Sequence, residues 1–166
     1  KPYADAQNQA QFEAWDWIAG RDAPELGGRE DFLDILGLNY YPDNHWFLSG
    51  ETLPETHTAY QPLHQLLQQC WQRYQRPLLL AETGAEGDAR APWLRHVVEE
   101  AMLALAQGIA LEGISLYPVV EYPAWADDRR SPGALFGLGD PNGNRTLHEA
   151  LALELRSQQI KWRNQN

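Results

Sequence analysis

The sequence predicts an α/β fold, a parallel sheet covered by helices. Three observations support this. Short apolar runs alternate with stretches of helical periodicity in the order α, loop, β, α, β, α, β, loop, α. The strands are apolar on both faces, which suits a buried parallel sheet better than a half-solvated antiparallel one. Unusual polar residues recur at the carboxyl ends of the strands, where parallel architectures bind ligands.

Residues 1–20 read as a helix carrying Phe12, Trp15, Trp17 and Ile18, with Gly20 as its stop. Residues 21–31 hold Pro24, Gly27 and Gly28 and read as loop. The run from Phe32 to Tyr41 has its strand core at 35–40 and ends at Pro42. A long loop, 42–57, carries His45 and Trp46. Leu63, Leu66, Leu67, Cys70, Trp71 and Tyr74 follow at helical spacing, closed by Arg76-Pro77. Residues 78–84 form a second strand ending on Glu82 and Thr83, and a helix spans about 90–108 to Gly108. The third strand runs from Gly113 to Pro118. A Pro-, Asp- and Gly-rich loop and a last helix, about 146–158, complete the chain.

Composition narrows the function. The 166 residues carry 13 Lys plus Arg against 23 Asp plus Glu, a formal charge of −10 that disfavours a nucleic-acid partner. No apolar run is long enough for a membrane span. The single cysteine, Cys70, excludes an internal disulfide, and no Cys/His spacing calls for a metal. No GxGxxG follows the first strand, and Gly84-Ala85-Glu86-Gly87 lacks the Lys-Ser/Thr of a phosphate loop, so no cofactor is expected. The lone cysteine and the lack of a signal-like start favour a cytoplasmic setting. Seven Trp and seven Tyr are the compositional anomaly, and flat aromatic faces suit sugar rings.

A carboxylate closing Leu78-Leu79-Leu80-Ala81 is costly to desolvate unless it faces a polar cleft or has partners. Asn39, Tyr40, Tyr41, Ser115 and Tyr117 stand at neighbouring strand ends. One of Tyr40 and Tyr41 is expected in the core with a satisfied hydroxyl. His45 reads as an exposed loop residue, or as a partner for a ligand hydroxyl. Glu86, Glu121 and Asp127 are loop carboxylates that read as solvated or as caps.

The two strand-end motifs, Asp34 to Tyr41 and Arg76 to Gly84, resemble the carboxyl-terminal part of family 1 β-glycosidases, retaining enzymes built on (β/α)8 barrels. In that family the sixth strand ends in Asn-Tyr-Tyr and the seventh in a catalytic Glu, and Gly113 to Tyr117 is similar to the eighth. The resemblance implies strands six to eight of a (β/α)8 TIM barrel with their helices. Residues 1–166 would then be a single α/β unit of a larger domain, since a whole barrel takes about 250 residues. It implies Glu82 as nucleophile, Tyr41 as donor of a hydrogen bond to it, and Asn39 as a sugar-site residue. A carbohydrate is the implied substrate. Trp46 and Trp125 are candidate stacking platforms, and Tyr117 stands where the family usually has Trp. Glu121 and Trp125 are four apart rather than the family's adjacent Glu-Trp pair. The family's acid/base glutamate lies in an Asn-Glu pair, and this sequence has none. The unit alone is therefore expected to lack turnover, and its open sheet edges favour self-association. The alternative is a non-catalytic sugar-binding or structural barrel half. A small flavodoxin-like domain would need a fourth strand and a phosphate-cradling loop, and neither is visible.

Overall fold

The computed structural model describes residues 2–123 and 129–164. Helices α1 (Pro2–Ala10) and α2 (Glu13–Ile18) lead into β1 (Leu36–Tyr40), α3 (Leu63–Tyr74), β2 (Leu78–Thr83), α4 (Arg90–Ala106) and β3 (Leu111–Leu116). A hairpin, β4 (Phe136–Gly139) and β5 (Arg145–Leu147), precedes α5 (Glu149–Arg163). The strands β1, β2 and β3 form one parallel sheet in that order. The α/β class and the parallel sheet expected from the sequence are both present.

Helices cover one face of this sheet. Leu36, Leu78 and Leu80 turn toward Leu63, Leu67 and Cys70 of α3 and Val97, Ala101 and Ala104 of α4, and all are buried. Burying the leucine and valine side chains among these, at roughly 1.5–3 kcal/mol each, fixes the helix layer on the strands. A second cluster, Leu94, Val98 and Leu151, joins α4 to α5. The apolar spacing of α3 accounts for its inward stripe, and its end is set as expected. Gln75 takes a left-handed φ of 52° and Pro77 follows.

On the opposite face Gly37, Asn39, Glu112 and Ser115 are exposed. That face is open because no second layer packs on it among the described residues. Register shows how it receives a carboxylate. Leu38 pairs with Leu80 but Asn39 with Glu82, and Leu80 pairs with Ile114 but Thr83 with Leu116. Between Leu80 and Thr83 strand β2 thus holds one surplus residue against both neighbours, and β3 holds one against β2 between Leu111 and Gly113. Strict alternation would place Glu82 on the same side as Leu78 and Leu80, inside the apolar layer. The bulge resets the phase, so Thr83 points to the helices and Glu82 to the open face. Thr83 is buried there and accepts a hydrogen bond from the Trp93 indole at 2.9 Å.

Several expectations are corrected. The first helix is two short helices, interrupted at residues 11–12, and α1 buries none of its side chains. What anchors this region is Asp16, whose carboxylate accepts hydrogen bonds from the Arg73 guanidinium and, at 2.9 Å, from the Tyr74 hydroxyl. The third strand starts two residues before Gly113, and α5 runs on to Arg163 because Leu155, Gln158 and Trp162 continue its inward stripe. The segment read as loop contains most of the hairpin, turned at Asp140, and residues 146–147, read as the start of the last helix, belong to β5, so α5 begins at Glu149. The Asp140 carboxylate accepts from the Asn142 and Asn144 amides at 2.8 Å, while Gly143 takes a φ of 85°.

Burial raises the Asp16 pKa, but hydrogen bonds from Arg73 and Tyr74 outweigh it and hold the carboxyl below its ordinary 3.8. A lowered folded-state pKa contributes stability that is fully present above the unfolded value and lost as pH falls through the folded one. Urea unfolding of Asp16→Asn at neutral pH is expected to show a loss of about 1–3 kcal/mol, leaving a shallower decline below pH 4 than the parent shows. An unchanged acid profile would refute this role.

Candidate active site

The site lies at the carboxyl ends of β1, β2 and β3. Asn39 and Glu82 are direct cross-strand partners, which puts the exposed Asn39 side chain beside the half-buried carboxylate. Tyr41, one residue past β1, donates its hydroxyl to Glu82 Oε2 at 2.9 Å. Burial, then the hydrogen bond to Glu82 and its charge, push the Tyr41 phenol far above its ordinary value. It therefore stays protonated and remains a donor throughout the neutral range.

Tyr40 turns the other way. It is 3% exposed, lies stacked on Trp93 with ring centroids 5.4 Å apart, and its hydroxyl meets that of Tyr60 at 3.3 Å. The adjacent tyrosines thus divide between core and open face, as alternation along a strand requires. Tyr117 follows β3, with its amide donating to the Thr83 carbonyl at 2.9 Å. Gly84 makes this approach possible, since a Cβ there would sit 2.0 Å from the Tyr117 carbonyl oxygen. Tyr117 packs against Tyr122 with centroids 5.9 Å apart, and both lie near enough to Tyr41 to act on its phenol. Tyr122 was missed in the sequence because it lies past the strand, in a segment whose path no periodicity reveals.

The other candidates are placed differently. Trp46 is 51% exposed in the β1–α3 loop, and its bridge partner is Thr52 of the same loop. No hydrogen bond or ring contact joins it to Glu82 or Tyr41 among the described residues. Trp125 and Asp127 lie outside the described residues. His45 is not an exposed loop residue. It is half-buried against Tyr60, with centroids 4.3 Å apart, and Nε2 meets the Gln61 carbonyl at 2.8 Å. Burial lowers its pKa, so the ring is neutral at pH 7.

Among nearby carboxylates, Glu86 is taken up. It accepts from Arg129 at 2.9 and 3.1 Å and from Ser131 at 2.9 Å, and the Arg129 hydrogen bond is the main reason its pKa is lowered. An acid held ionised in this way is a poor proton donor. The Glu121 amide donates to the Phe136 carbonyl at 2.9 Å, so the hairpin fixes its backbone. The arrangement at Glu82 supplies an oriented carboxylate, a phenol donor and an adjacent amide on an open sheet face.

No family model matches the chain, and no curated protein matches it by sequence. Solved structures do. A β-glycosidase from the hyperthermophile Thermosphaera aggregans superposes with a TM-score of 0.59 over 78% of this chain, at 19% identity. A hyperthermophilic β-glucosidase mutant matches 93% of the chain with a TM-score of 0.66 at 16% identity. The β-glucosidase from Thermotoga maritima matches 87% with a TM-score of 0.56 at 16% identity. The chain spans only 32%, 39% and 40% of these three structures, respectively. In fold, then, the chain is similar to part of the TIM barrel of family 1 β-glucosidases and β-glycosidases, with three parallel strands of it present. No helix of the described residues is long and apolar enough to cross a membrane.

Proposed function

We propose that this chain is the strand six-to-eight unit of a retaining β-glycosidase, with Glu82 as the nucleophile. The observation that carries the reading is the hydrogen bond from Tyr41 to Glu82, 2.9 Å long, on the open face at the strand ends. The likeness of the fold to β-glucosidase structures supports it, one of them the Thermotoga maritima enzyme in complex with deoxynojirimycin, a sugar-like ligand. Residues 1–166 are, in this reading, one α/β unit of a larger barrel, and a β-linked sugar is the substrate.

In the first step a Glu82 oxygen attacks the anomeric carbon while the bond to the leaving oxygen breaks. That oxygen takes a proton from a second carboxyl group about 5–5.5 Å away. Water then attacks the glycosyl ester and gives its proton to the second carboxylate, which frees Glu82. The phenol of Tyr41 fixes which Glu82 oxygen is free to attack. Asn39, Tyr117, Trp46 and Trp125 are the proposed sugar contacts. The second carboxyl group comes from another part of the barrel, so the 166 residues alone do not turn over.

The test is covalent trapping in the protein that includes the rest of the barrel. A 2-deoxy-2-fluoro-β-glycoside with a good leaving group is expected to leave its sugar esterified to the peptide carrying Glu82, as read by mass spectrometry of a digest. Labelling on another carboxylate would overturn the assignment. For the 166-residue chain alone, the outer edges of β1 and β3, unpaired among the described residues, favour association between copies, opposed by the charge of −10. Sedimentation velocity is expected to show species larger than a monomer that grow with added salt. A clean monomer at every salt concentration would contradict this.

A further inference from the structure

A second cleft, about 430 Å³, opens on the other side of Tyr40 from Glu82. Its walls are the β1–α3 loop, with Leu53, Pro54, Glu55 and Tyr60, and the start of α4, with Pro92 and Trp93. Both walls belong to this chain, so the cleft does not depend on other parts of a barrel, nor on the role of Glu82.

Its two accessible rings are braced from behind. Trp93 stacks on the buried Tyr40 and donates its indole N–H to Thr83 at 2.9 Å. Tyr60 lies against His45 at 4.3 Å, and its hydroxyl is paired with that of Tyr40 at 3.3 Å. Trp93 also packs against His96 with centroids 5.6 Å apart, so both rings are held without further ordering, which favours a preformed site. The fixed charge in the lining is negative, and His96 also lines the cleft. Glu55 lines the cleft, and none of its lining residues is Lys or Arg. After burial and the hydrogen bond and charge of Tyr60, the Glu100 and Glu55 charges raise the Tyr40 phenol, and the same two charges act on Tyr60, while Glu100 itself is paired with His64 Nδ1 at 2.7 Å. His45, neutral at pH 7, adds no positive charge.

Ring faces carry negative partial charge, prolines and a leucine contact apolar groups, and a carboxylate attracts a cation. We infer that this cleft binds a small organic cation whose ammonium group is methylated or otherwise sheathed in carbon. A phosphate or a carboxylate would meet the Glu55 carboxylate with no Lys or Arg in the lining to offset it, and a bare hydrated ion would gain nothing from the apolar walls.

The test is a nuclear magnetic resonance titration of the 166-residue chain with choline. The matched probe is 3,3-dimethyl-1-butanol, which has the same shape without the charge, and sodium chloride controls for ionic strength. Saturable shifts at the Trp93 indole and the Tyr60 ring are expected, with choline binding at least about threefold tighter than the alcohol. Glu55→Gln should weaken choline by about threefold or more, and Tyr60→Leu by about tenfold, while Tyr60→Phe retains binding. Glu55 sits in an exposed loop, so its variant keeps the test valid even if Tyr60→Leu fails to fold. No saturable shift at either ring up to about 50 mM choline, equal affinity for the alcohol, or indifference to Glu55→Gln would each overturn the inference.

Discussion

In the protein that includes the rest of the barrel, Glu82→Gln is expected to lower kcat/KM for aryl β-glycosides by at least about a thousandfold. The amide has nearly the same shape, and its oxygen still accepts from Tyr41, so the fold loses little. What is lost, on the proposed mechanism, is the negative oxygen that would form the ester. Thermal unfolding should therefore move by no more than a few degrees while activity collapses. The comparison variant is Tyr41→Phe. It removes the donor that orients the carboxylate, and an effect of about 10–100-fold is expected. If Glu82→Gln retains a tenth of the parent activity, Glu82 is not the nucleophile. If Tyr41→Phe proves the more damaging of the two, the phenol has a larger part than orientation.

The second large effect is structural. Gly84 follows β2 directly, and a methyl group there would lie 2.0 Å from the Tyr117 carbonyl oxygen and 3.2 Å from its carbon. Both obstacles are backbone, so the strand ends must separate, and the bond from the Tyr117 amide to the Thr83 carbonyl goes with them. Gly84→Ala is expected to cost about 2–3 kcal/mol or more in urea unfolding. The control is Gly113→Ala on β3, where the added carbon meets only a Leu79 methyl at 3.5 Å. That change should stay within about 1 kcal/mol. Equal costs at the two glycines would show that the close approach at Gly84 is not what holds the strand ends together.

Much of this molecule was legible in the sequence because its elements follow local rules. The stripe from Leu63 to Tyr74, the stop at Pro77 and the leucine run before Glu82 each depend on neighbours a few residues away, and the α/β class follows from their order. The candidate site was partly legible for a different reason: a carboxylate at the end of an apolar run is anomalous, and the resemblance to family 1 β-glycosidases singled out Tyr41 as its partner. What escaped notice depends on contacts distant in sequence. The docking of Asp16 on Arg73 and Tyr74 joins residues more than 50 apart. The hairpin at 136–147 has strands of four and three residues, too short for periodicity, and its turn residues masked it as loop. His45 looked exposed because nothing nearby announces that Tyr60 will cover it. Tyr122 and the cleft beside Tyr60 are likewise products of tertiary packing.

The surplus residue in β2 has a practical consequence for protein engineering. The direction in which Glu82 faces is set by a count of residues between Leu80 and Thr83, not by any one side chain. A grafting experiment that copied the Ala-Glu-Thr triplet into a regular strand, in phase with the leucines, would carry the right letters and aim the acid into oil. The portable module is the whole of β2 with the flanking strands that accommodate its extra step, and transplantation into another scaffold should treat those three strands as inseparable.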